Sequence, residues 1–197
     1  MIGALPEALT VGGREYQIRT DYRSVLQMFE AFQDPELYPE EKQIVSIYLL
    51  FEEFTCADDV VEAVEDGFDV ADAIRQIAWF IAAGRPERED KGLSTYNWEQ
   101  DEQMIFASVN KVAGTETREL PYLHWWTFLG YFNEIGEGTF SFIGGIRDKL
   151  NNGKKLEEYE KEFLKKNRNL VELRPALTEE EQRKEDEYKA LLDEVLG

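Results

Sequence analysis

Between Tyr122 and Phe132 the chain places Tyr122, Leu123, Trp125, Trp126, Phe128, Leu129, Tyr131 and Phe132, eight large apolar side chains in eleven positions. A segment so loaded must be buried on most of its circumference, so the rest of the fold has to be arranged around it. Leu120-Pro121 opens it as a helix is opened, because the N–H that proline lacks has no partner in a first turn anyway. The sequence therefore predicts a helix from this point that forms the centre of the core.

The remaining segments supply what surrounds that helix. Ala8-Leu9-Thr10-Val11 and Glu15-Tyr16-Gln17-Ile18 alternate around Gly12-Gly13, which is a hairpin signal. Thr20 or Asp21 can cap a helix with a stripe of Val25, Leu26, Met28, Phe29 and Phe32, closed by Asp34-Pro35. Pro39 starts the next, whose buried face is Ile44, Ile47, Tyr48, Leu50 and Phe51. Asp58 or Asp59 caps a shorter helix ended by Gly67, and Asp69 caps one running to Ala83, stopped by Gly84. The polar run from Arg85 to Gly92 reads as an exposed loop. Helices follow from about Asn97 to Val112, from Thr139 to Leu150, and, with a thinner apolar stripe, from Lys154 to Asn169. A last one, opened by the capping box Thr178/Glu181, runs to Leu196.

The reading is thus mainly α: a compact multi-helix domain with a small N-terminal β-hairpin and a charged C-terminal helical arm. Residues 1–152 form the helical core domain and 153–197 the extension. Composition agrees, since 43% hydrophobic residues with 12 Phe, 9 Tyr and 4 Trp among 197 exceed what a disordered chain carries.

Charge narrows the partners. The net charge of −19 repels phosphate backbones and anionic lipid surfaces, so neither nucleic acid nor membrane is expected as a partner. From Glu30 to Asp72 fourteen Asp and Glu face a single basic residue, Lys42. That run reads either as a solvated face or as a docking patch for a basic partner. Met1 to Leu9 lacks the basic start and long apolar core of a secretion signal, so the expected location is the cytoplasm. Cys56, the lone cysteine, cannot form an intramolecular disulfide, and its apolar neighbours suggest a small buried hydrophobe.

Catalytic chemistry finds little to work with. His124 is the single histidine, which excludes any mechanism or zinc site needing two imidazoles, and its Trp neighbours point to a backbone-bonded structural role. Ser141 lies in Thr-Phe-Ser-Phe rather than a nucleophile elbow. Gly144-Gly145 and Asn152-Gly153-Lys154-Lys155 lack the strand and glycine spacing of a phosphate loop. Asp66 to Asp72 lacks the alternating ligands and closing glutamate of a calcium loop. No catalytic residue, cofactor or metal is expected. What remains is protein binding, with Tyr122, His124, Trp125, Trp126 and Phe128 either a structural core or a partly exposed docking surface.

Three stretches together carry a family likeness: Leu9-Thr10-Val11-Gly12-Gly13-Arg14-Glu15-Tyr16-Gln17-Ile18-Arg19-Thr20-Asp21-Tyr22-Arg23, then Tyr96-Asn97-Trp98-Glu99-Gln100-Asp101, then Tyr122-Leu123-His124-Trp125-Trp126-Thr127-Phe128. With Phe163 to Val171 as a fourth, the chain resembles the phage gene product fifteen family of Gram-positive phages and prophages. Its members are typically encoded between the major tail protein and the tape-measure protein. The resemblance implies a non-enzymatic tail assembly chaperone acting in the host cytoplasm, with the tape-measure protein as partner and the major tail protein as a second candidate. The alternative it leaves open is a minor tail or tail-junction protein retained in the virion.

Overall fold

The computed structural model describes residues 2–86, 93–174, 177–178 and 180–184. Strands β1 (Ala8–Val11) and β2 (Arg14–Gln17) pair antiparallel, Leu9 opposite Tyr16 and Val11 opposite Arg14. The turn needs left-handed backbone at both Gly12 (φ 58°) and Gly13 (φ 85°), which is why a Gly-Gly pair stands there. Beyond β2 the chain from Ile18 to Tyr22 becomes a spine between two helical regions. On one side Ile18 bridges Phe51, and Arg19 N–H donates to the Leu50 carbonyl at 2.7 Å. On the other Asp21 bridges His124, and Trp125 N–H donates to the Thr20 carbonyl at 2.7 Å.

Helix α1 (Tyr22–Gln33) starts where Asp21 accepts the Arg23 N–H at 2.9 Å. Helix α2 (Pro39–Leu50) has Pro in its first turn and Glu41 reaching back to the Tyr38 N–H. Its C-terminal carbonyls are collected by Arg19, which donates to the oxygens of Tyr48 (2.8 Å) and Phe51 (2.6 Å). Helix α3 (Ala57–Glu65) begins at Cys56 with Asp59 closing the box, and α4 (Val70–Ile81) is capped by Asp69. Cys56 is exposed rather than a small buried hydrophobe. Its backbone must stand outside the helix as the cap, and that position lies at the surface.

Helix α5 (Glu102–Ala113) starts five residues later than the pattern from Asn97 predicts. The Asn97 side chain accepts the N–H groups of Glu99 and Gln100, and that Asx turn holds residues 97–101 outside the helix. Helix α6 (Trp125–Asn133) likewise begins after His124 and not at Pro121. The bridge to Asp21 keeps the preceding segment extended, and Asp21 Oδ2 accepts the Leu123 N–H at 3.1 Å. Then come α7 (Thr139–Asn151), α8 (Glu158–Lys166) and α9 (Arg168–Val171). The expected single helix from Lys154 to Asn169 is therefore two short ones, with Asn167 (φ −130°) at the break. The Thr178/Glu181 capping box is present and residues 180–184 are helical, while the predicted last helix beyond residue 184 lies outside the described residues.

The main core gathers Tyr22, Val25, Met28, Ile47, Leu50, Phe51, Ile77, Phe80, Ile105, Phe106, Trp125 and Phe128 from the hairpin side to α6. Tyr22 and Phe128 stack with ring centroids 4.5 Å apart, and Phe106 closes on both. This is the central role that the aromatic density of residues 122–132 predicts for that segment. No described helix is long and apolar enough to cross a membrane.

Candidate binding surface

The motif residues are used at joints. Trp125 Nε1–H donates to the Ile81 carbonyl at 2.9 Å and Trp126 Nε1–H to the Phe80 carbonyl at 2.8 Å, so the adjacent indoles cap the C-terminus of α4. That end is a Schellman turn: Gly84 N–H reaches the Trp79 carbonyl and Ala83 N–H the Phe80 carbonyl, with Ala83 in left-handed backbone at φ 52°. His124 caps α6 by accepting the Trp126 N–H on Nδ1 at 3.0 Å. Its other nitrogen lies 3.1 Å from the Pro6 carbonyl, which can only accept, so the proton sits on Nε2. Burial lowers the His124 pKa, opposed by the Pro6 carbonyl and the Glu7 charge. Both ring nitrogens are thus engaged in holding the backbone, which leaves neither as a free base.

Of the five residues proposed for binding, three are interior: His124 is 3% exposed, Trp125 1% and Phe128 0%. Tyr122 is 55% exposed, its hydroxyl 2.7 Å from Thr20 Oγ1, and Trp126 is half-buried. At the surface Trp126 meets Trp79, itself 41% exposed, edge to face at 5.4 Å, over Gly84. Tyr122, Trp126 and Trp79 are therefore among the aromatic side chains of this region that a partner can touch. Trp79 escapes a sequence reading because it sits on an otherwise ordinary helical stripe.

A second apolar feature went unsignalled by any motif. Between α5 and the α6–α7 connection lies an open groove of about 560 Å³. Met104, Ala107, Val112, Ile135 and Phe140 form its apolar wall, with Lys111 and Glu134 at the border. Ala107 and Val112 are exposed, and Met104, Ile135 and Phe140 half-buried. Its residues come from two helices and a loop, so no single periodicity betrays it.

The acidic run from Glu30 to Asp72 spans the end of α1 to the start of α4. Several of its carboxylates hold backbone N–H groups: Asp34 that of Glu36, Asp59 that of Thr55, and Asp72 that of Gly12 at 2.8 Å. Those bonds lower the pKa of Asp59, through Thr55, and of Asp72, through Gly12. Glu53 pairs with Arg14 at 2.9 Å. Among the described residues no group of three or more His, Cys, Asp or Glu is placed to hold a metal ion.

The model of the family described as Bacteriophage Gp15 protein matches residues 1–173. No curated protein and no solved structure matches the chain.

Proposed function

The chain belongs to the bacteriophage Gp15 protein family, and from that premise we propose that it is a tail assembly chaperone that binds the tape-measure protein during tail morphogenesis. The observation that carries the reading is the groove of Met104, Ala107, Val112, Ile135 and Phe140, an apolar surface left open on a molecule of net charge −19. A tape-measure protein is long, helical and rich in apolar stripes that aggregate when uncovered. A groove of this kind accepts the i, i+3, i+4 face of such a helix. The acidic exterior keeps the resulting complex dissolved. In this reading Tyr122, Trp126 and Trp79 extend the contact surface, while His124, Trp125 and Phe128 keep its frame rigid. The protein acts by binding, in the cytoplasm of the host, and performs no reaction.

Co-expression with the tape-measure protein tests it. The expected outcome is a higher soluble yield of that protein and co-elution of the two, with the chaperone missing from purified virions. Lack of a complex together with stoichiometric presence in virions contradicts the reading and favours a tail-junction protein.

A further inference from the structure

The C-terminal helices are attached by a different kind of contact from the rest of the molecule. Across residues 154–174 the buried side chains are Glu160 and Val171. Helix α9 packs on α7, and the buried Ile143, Ile146 and Val171 stand apart from the main core. On α8 the rings of Tyr159 and Phe163 meet Phe142 of α7 at 6.1 and 5.0 Å, and what fixes the rest of the attachment is polar. Arg147 on α7, 4% exposed, directs all five guanidinium donor bonds inward. It donates to the carbonyls of Val171 (2.7 Å), Leu170 (2.7 Å) and Thr95 (3.1 Å) and to both oxygens of the buried Asp101 at 2.5 and 3.0 Å. Gln100 clamps the chain just beyond α9, donating to the Glu172 carbonyl at 2.8 Å and accepting the Arg174 N–H at 2.9 Å. Lys149 holds Glu160 at 2.6 and 2.8 Å.

Two physical consequences follow. Hydrogen bonds exchanged against water contribute little net stability each, and beyond Val171 and the Phe142 ring contacts few apolar contacts stand behind these, so this unit costs less to open than the main core. The bonds also stand or fall together. Removing the Leu170 and Val171 carbonyls leaves buried guanidinium N–H groups without acceptors, so partial detachment is worse than either end state. We propose that α8 and α9 form a flap over α7, latched by Arg147 and Gln100, which opens as one unit while the helices of the main core stay folded. Opening frees Phe142 of α7 from the rings of Tyr159 and Phe163. The proposal stands independently of the tape-measure reading.

Hydrogen exchange on the full chain at neutral pH tests it. The amides of Asn167, Val171 and Glu172, bonded to the carbonyls of Phe163, Asn167 and Arg168, report the flap. They are expected to share one protection factor, at least about a hundredfold below that of α1 and α6 amides. Gln100→Ala should lower that shared value about five- to tenfold and leave α1 and α6 unchanged, because it removes two bonds outside the core. Arg147→Lys should do the same more strongly. Gln100→Ala carries the test should the lysine variant fail to fold. Flap amides as protected as the core, flap amides each exchanging at its own rate, or a Gln100→Ala effect spread evenly over the molecule would each overturn the proposal.

Discussion

At Trp125 and Trp126 the side chains are chosen for one N–H each as well as for their rings. The helix α4 ends with carbonyls that its own backbone does not fully satisfy, and two indoles aimed at Ile81 and Phe80 supply the donors. Trp125→Phe keeps an aromatic ring but strands the part-buried Ile81 carbonyl, so it should cost about 1–2 kcal/mol in denaturant unfolding. Trp126→Phe should cost less, since its edge of the site is open to water. His124 gives a pH signature. Its folded pKa lies below the unfolded value, so the unfolded chain takes up the proton first as pH falls. The stability tied to neutral His124 is complete above about pH 6.5 and declines as pH drops below that, levelling once the folded imidazole also protonates. A His124→Gln variant should lose that part of the stability profile, and imidazole resonances followed by NMR should titrate below the free value.

At the scale of elements, Ala83 sits where helices usually place glycine. Its φ of 52° is left-handed, a conformation that costs a residue with a Cβ about 1 kcal/mol. Ala83→Gly should therefore raise stability by about 0.5–1 kcal/mol, read as a higher midpoint in thermal or denaturant unfolding. The same region shows what sequence can and cannot convey. Periodicity located the stripe of α1 and the Gly-Gly turn of the hairpin because both are local: a 3.6-residue repeat and a required positive φ. The start of α6 differs from the pattern because a contact at long range decides it, and that of α5 because a side-chain turn competes with the helix. The bridge from Asp21 to His124 imposes extended backbone before α6, and Asn97 closes a local turn on Glu99 and Gln100 that delays α5, in segments whose composition alone favours helix. The motifs that reveal the family turn out to be these joints, in which Asp21, Asn97, Asp101, His124 and the two tryptophans fix how one element meets the next.

For the molecule as a whole, the density of residues 122–132 announced a core but not which of its side chains would reach the surface. That division depends on α1, α4 and α5 packing around the segment, which leaves Tyr122 and the edge of Trp126 outside. The groove beside α5 was illegible for the same reason, being assembled from residues as far apart as Met104 and Phe140. In the proposed function that groove recognises the partner and the aromatic interior supplies rigidity. Purified tape-measure segments titrated onto the wild-type chain and onto a Met104→Glu/Phe140→Asp variant with unchanged circular dichroism test that function. Saturable binding to the wild type is expected, weakened at least about tenfold in the variant, where two carboxylates would have to be desolvated against an apolar helix. Equal affinity for the two proteins, or no binding to the wild type, would contradict it.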